Sequence, residues 1–285
     1  MVVRVTEILF RRRCMKEFFG YGGYTRQPEG YMSWQHLTFV TSLMLIMIVL
    51  AIYLGRKYRF SDDKTKNKTV IASAILIDTI EIIKIIVCIT RSDTPETAWH
   101  GLLPLFLCSI QLITIPLAAF AKGRVKEAAL DFVFIFGILG AVLGTYGAGQ
   151  NYGAYPVLSV DNVFSGITHA VSGFASLYIV ISGMASMKKK NTPITFAILF
   201  AFGIAALATN LALDTNYMFL VRGDGTPYDI LYNMVGGNAI IYPILVMALF
   251  VVYILVFQYV FNYFANKKIS KITADKSPEN EYILK

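Results

Sequence analysis

The chain has 285 residues, 56% of them apolar and 15% charged, with 26 Lys and Arg against 18 Asp and Glu for a formal net charge of +8. Charged residues fall well short of the roughly one quarter usual in a soluble domain, which excludes a water-soluble globular protein and places the chain in lipid. The surplus cations gather in short loops between apolar runs, so they read as a topological signal with anionic-lipid contact as a second use, and no nucleic-acid partner is expected.

The head, residues 1–30, contains "RRR" at 11–13 but no apolar run after its charges, so it reads as a basic interfacial segment and not as a cleaved signal peptide. Seven apolar segments then follow, at 36–54, 69–90, 101–121, 129–149, 163–183, 193–213 and 237–262. Each has the roughly 18 to 25 residues needed to cross a hydrocarbon core of about 30 Å. Backbone groups in lipid must be satisfied within a segment, and these runs lack the short alternating pattern of barrel strands, so each is predicted to be an α-helix. The expected fold is all-α: a polytopic membrane protein with a seven-helix transmembrane bundle, one domain over 31–265, followed by a disordered polar tail over 266–285. Basic loops follow the first, third, fifth and seventh spans, and the alternate loops are nearly bare, which predicts the N-terminus outside and the C-terminus inside. On that topology the Asn67 sequon lies inside and carries no sugar.

His36, in "SWQHL", caps the first span. The second, "AILIDTIEIIKIIVCIT", places Asp78, Glu81, Lys84 and Cys88 within about a 120° arc. A Glu81–Lys84 pair at i, i+3 lowers the cost of burial, and such charges face either a wet cavity or one another as a structural ion pair. The third span, "GLLPLFLCSIQLITIPLAAF", carries Cys108 and Gln111, with Pro104 one turn earlier as a source of a kink and of an unpaired carbonyl near His100. Gly140, Gly144 and Gly147 make the fourth span a close-packing ridge. In the fifth, Ser165, His169, Ser172 and Ser176 recur at i, i+4, i+7 and i+11, a narrow polar stripe that either glues helices together or lines a polar cavity. The sixth adds Asn210, Asp214 and Tyr217 on one face.

With the N-terminus outside, Cys108 and His169 each lie about seven residues, roughly 10 Å, below the outer surface, and Glu81, Lys84, Asn210 and Asp214 rise into the same layer. A buried cysteine is most often a small hydrophobe, but a thiol beside an imidazole base becomes a nucleophile able to carry an acyl group as a thioester. Gln111, three residues on, is placed to donate to a developing oxyanion. Cys14, Cys88 and Cys108 form neither a disulfide framework nor a metal pair, and there is no nucleotide loop, metal cluster or serine elbow, so no metal or cofactor is expected.

In their order along the chain, "SWQHL", "LPLFLCSI", "SGITHAVSGFASLYIVISG" and "ALATNLALDTNYMFL" resemble the YwaF-like integral membrane proteins, a family that includes the eukaryotic transmembrane protein 164 group. The resemblance runs from about residue 30 to residue 262. It implies a seven-span bundle and, for the eukaryotic members, a cysteine acyltransferase moving fatty acyl chains between phospholipids, with the nucleophile carried to Cys108 and its partner to His169. The family motif often reads LPLHLC, and Phe106 stands here in place of that histidine. Two functions follow as expectations: acyl transfer on a phospholipid or other acyl donor through Cys108 and His169, or a transporter or ligand-binding sensor using Asp78, Glu81 and Lys84.

Overall fold

The computed structural model describes residues 16–24 and 26–275, with side chains through Lys267. The basic triplet at 11–13, Cys14 and the end of the tail, 276–285, lie outside the described residues. Seven helices of ten or more residues are present among them: α1 (Trp34–Tyr58), α2 (Asp63–Arg91), α3 (Gln111–Phe120), α4 (Gly123–Leu143), α5 (Val160–Ile181), α6 (Thr192–Leu213) and α7 (Ile241–Asp275). α7 runs past the predicted domain boundary at 265, and no extended strand occurs among the described residues.

Local sequence fixes most helix starts. The Ser33, Asp62 and Ser159 side chains accept backbone N–H bonds from His36, Thr65 and Asn162, which gives α1, α2 and α5 side-chain caps. α6 opens with Pro193 in its first turn, where a missing N–H costs nothing, and closes on Asp214 in the left-handed region. Four stretches, Trp34–Tyr58, Val160–Ile181, Lys189–Leu213 and Ile241–Lys267, are long and apolar enough to cross a membrane by length and composition. α2 has the length but carries Asp78, Glu81 and Lys84 along its middle, and α4 carries Lys126, Glu127 and Asp131 in its first half.

The predicted third helix over 101–121 is not observed as such. Residues 102–110 form turns, and regular helix begins only at Gln111. Pro104 cannot donate, and the polar groups of the turn are satisfied from elsewhere. The Tyr217 hydroxyl donates to the His100 carbonyl at 2.5 Å and accepts from the Leu103 N–H at 2.9 Å. The Ser109 hydroxyl accepts from the Phe106 N–H at 3.0 Å and donates to the Phe106 carbonyl at 3.1 Å. A side chain from a distant loop thus replaces the helical ladder, which removes the helix's advantage here.

α4 is the central element. Every residue from Ala128 to Gly137 is buried, so no side of it faces outward over that stretch. It packs against α5, α3 and α6, and the Tyr253 hydroxyl of α7 donates to its Ile135 carbonyl at 3.1 Å. α1 and α2 complete the bundle by packing on α5. Small residues set the α4–α5 spacing: a Cβ on Gly137 would stand 2.8 Å from the Ser172 carbonyl, and the Ser176 hydroxyl donates to the Phe134 carbonyl at 2.7 Å. Buried Asp131 accepts from Ser186 and Met187 N–H groups at 2.9 Å each, which pins the loop between α5 and α6.

Candidate functional site

A cavity of about 360 Å³ opens where the broken segment, α2 and α5 meet. The turn 102–110 supplies Leu103, Phe106, Cys108 and Ser109; α2 supplies Ile77, Glu81, Lys84 and Cys88; α5 supplies Asp161, Ser165, Thr168 and His169. The size is that of a small-molecule site. Residues 102–110, which form turns and not a helix, make one of its walls.

Cys108 and His169 line this cavity together. Their relation is read from the glycines of α4. A Cβ on Gly140 would lie 3.3 Å from the Cys108 Cβ, and one on Gly144 would fall within the His169 imidazole. Gly140 and Gly144 are one turn apart, so thiol and imidazole rest against successive turns of a single helix face, roughly 6 Å apart along its axis. Among the described residues the His169 ring has no hydrogen-bond partner, and both side chains are partly accessible to the cavity. The N–H groups of Cys108 and Ser109 reach no carbonyl acceptor among the described residues.

Glu81 and Lys84 form an ion pair, Nζ to Oε1 at 2.6 Å, in the cavity wall. Towards its mouth, Arg91 pairs with Asp161 at 2.5 Å, while its other amino group donates to the Gly20 carbonyl at 3.1 Å and the Tyr24 hydroxyl at 2.7 Å. The Cys88 thiol donates to the same Asp161 oxygen at 3.5 Å. A second cleft, lined by Cys88, Arg91, Tyr155 and Asp161, continues the first outward along α2.

Six predicted cavity residues lie elsewhere. His36 is buried but fully engaged: Nδ1 accepts from the Met32 N–H and Nε2 donates to the Thr145 carbonyl, both at 3.2 Å, with Tyr152 packed on the ring. It fastens the start of α1 to the end of α4. Gln111 is the first residue of α3 and not the second turn of a longer helix; its Oε1 accepts from Thr114 at 3.1 Å and its amide nitrogen is buried without a partner. Ser172 faces the Gly137 carbonyl, deep in the α4–α5 contact. Asn210 bonds the Tyr217 N–H at 2.6 Å and carbonyl at 3.0 Å, so it acts on the cavity only through the residue that braces the 100–103 turn. Asp214 is exposed at the end of α6, and Asp78, half-buried on α2, does not line the cavity.

Asp161, Thr168 and Tyr228 were not singled out by periodicity. Asp161 stands in the first turn of α5, outside the predicted span, where a capping acid is the ordinary reading. Tyr228 comes from the loop after α6 and stacks on Phe219, which in turn meets Phe106. Burial pushes its phenol up to about 12. Among the described residues no group of three or more His, Cys, Asp or Glu could hold a metal ion.

No curated protein and no solved structure matches the chain. The sequence profile of the TMEM164 family matches residues 31–265, from before α1 into α7 and across all the residues that line the cavity. The chain is therefore a membrane protein that belongs to the TMEM164 family.

Proposed function

We propose that the protein is a multi-pass cell-membrane enzyme that transfers acyl groups on phospholipids, with Cys108 as nucleophile and His169 as its base. In this reading all seven helices serve as membrane elements, N-terminus outside and C-terminus inside. The turn 102–110 and α3 together form the third, a half-helix of the kind that lipid tolerates only where irregular backbone is sealed in protein or lines a cavity. The likeness of the motifs to YwaF-like proteins supports the same arrangement.

The observation that carries the proposal is the placement of thiol and imidazole against successive turns of α4, both open to one cavity. His169 takes the proton from the Cys108 thiol, and the thiolate attacks the ester carbonyl of a bound amphiphile. The oxyanion of the tetrahedral intermediate is met by the N–H groups of Cys108 and Ser109, which reach no carbonyl acceptor, just before α3. Collapse breaks the ester C–O bond; the leaving alkoxide takes the proton back from His169, and the acyl group stays on sulfur as a thioester. A second hydroxyl, deprotonated by His169, attacks the thioester and releases the Cys108 thiolate, which regains the proton. Apo-state separations longer than a hydrogen bond are usual for such pairs, which tighten once substrate fills the site.

The test is to incubate purified protein with a clickable phospholipid and look for a hydroxylamine-sensitive label. Cys108→Ala is expected to abolish it, and His169→Ala to slow it by about 10²- to 10⁴-fold. Label surviving in Cys108→Ala refutes the nucleophile. A transporter or ligand sensor is the second reading, favoured by the Glu81–Lys84 pair in the cavity wall. It requires Glu81→Gln to abolish function while Cys108→Ser leaves it intact.

A further inference from the structure

The Lys84 ammonium has three N–H donors, and Glu81 takes one of them at 2.6 Å. Among the described residues nothing else accepts from Lys84, and the group lines the cavity. A mostly buried ammonium that leaves donors unspent is costly unless an acceptor arrives from the cavity side. The other cation at this end of α2, Arg91, is differently placed, since Asp161, Gly20 and Tyr24 already take its donors. Lys84, Cys108 and His169 line the same cavity, so whatever the ammonium binds shares that space with the reacting groups. Ile77, Leu103, Phe106 and Leu112 give the wall an apolar patch among polar residues such as Ser109, Ser165 and Thr168. An ammonium with free donors in a cavity that also presents an apolar patch is complementary to an amphiphile that carries an anionic oxygen group close to its hydrocarbon.

We propose that Lys84 anchors the anionic oxygen group, phosphodiester or carboxylate, of the amphiphile that occupies this cavity, and that Glu81 is a positioning residue that holds the ammonium in place. The proposal rests on the reading of the cavity as an acyl-lipid site. Glu81 tethers the ammonium on one side and leaves its remaining donors directed at the ligand. A neutral amphiphile has no oxygen able to replace that charge and binds less well.

Photocrosslinking tests the anchor without the thiol. Full-length Cys108→Ser protein in detergent is irradiated with three clickable diazirine probes: a phosphatidylcholine, a fatty acid and a diacylglycerol. Glu81→Gln/Lys84→Met removes both charges together, so no carboxylate is orphaned; Lys84→Arg keeps the cation. At least one anionic-oxygen probe is expected to label about tenfold more strongly than diacylglycerol, to lose that advantage in the double variant and to keep most of it in Lys84→Arg. Charge-dependent labelling by phosphatidylcholine identifies a phosphodiester ligand, and by the fatty acid alone a free carboxylate. Equal labelling by all three probes, or labelling unchanged in the double variant, overturns the anchor. Because crosslinking needs no nucleophile, loss of the thioester label with crosslinking intact sinks only acyl transfer, and the converse sinks only Lys84.

Discussion

Replacing Gly144 by alanine tests the geometry of the pair without touching either member. Gly144 ends α4 at φ −76°, a conformation open to alanine, so the backbone carries no penalty. The new methyl would overlap Cε1, Nε2 and Nδ1 of His169. Restoring ordinary contact, about 3.5 Å between heavy atoms, moves the imidazole by more than ~1 Å. A displacement of that size in a catalytic group costs about 10²-fold in rate, or about 2.7 kcal/mol in the barrier. Gly140→Ala is the matched control: its methyl stands 3.3 Å from the Cys108 Cβ and 3.4 Å from the Cα, so a shift of a few tenths of an ångström suffices. Its expected loss is under about tenfold. The assay is the initial rate of hydroxylamine-sensitive labelling from a clickable phospholipid, with a thermal scan to show that each variant is folded. Folded Gly144→Ala labelling at the wild-type rate, or Gly140→Ala more damaged than Gly144→Ala, refutes the placement of His169 as base.

His36→Ala is expected to cost about 2 kcal/mol of stability through its two lost bonds, one of them fully buried. A lowered thermal midpoint with unchanged labelling per folded molecule confirms it, and loss of labelling returns His36 to the site. Tyr217→Phe frees the His100 carbonyl and the Leu103 N–H together. Maleimide should then alkylate Cys108 several-fold faster as the turn loosens, and an unchanged alkylation rate refutes the bracing role. Burial alone would raise the Glu29 carboxyl, but the Val157 N–H and the Arg26 guanidinium outweigh it and hold the group below its ordinary 4.5. A depressed carboxylate stabilises the fold above its unfolded value and loses that contribution as pH falls through the folded one. The thermal midpoint should therefore drop below pH 4.5 and Glu29→Gln should flatten the drop, as a pH series of thermal scans will show.

Helix positions were legible where a single period governed the chain. The first, fifth and sixth spans, predicted at 36–54, 163–183 and 193–213, correspond to α1, α5 and α6 within a few residues, because lipid demands unbroken backbone bonding and the caps sit at the ends. The fourth was displaced: α4 starts six residues earlier and ends at Leu143, since its polar first turns still coil and the residues after Gly144 turn away. Hydropathy marks the apolar run and not the helix, and the two part company wherever a helix extends beyond the apolar stretch. The glycine ridge was legible for Gly140 and Gly144; Gly147 already lies past the end of α4, against its own Leu143 carbonyl.

The site was legible in its chemistry and less so in its walls. A helical wheel assigns Ser165, His169, Ser172 and Ser176 one face of α5, yet it is silent on what stands opposite. The structure divides the stripe: Ser172 and Ser176 meet the backbone of α4, and Ser165 and His169 line the cavity. The divide falls where the third element stops being a helix. Extending helical periodicity back through Pro104 put Gln111 on the face of Cys108, where the structure gives it a separate burial at the first turn of α3. The same extension hides the cavity wall, which the turns over 102–110 supply. Tyr217 decides between the two arrangements. Its hydroxyl bonds satisfy the broken backbone, and it lies more than a hundred residues further along the chain, where no local pattern connects it to Cys108.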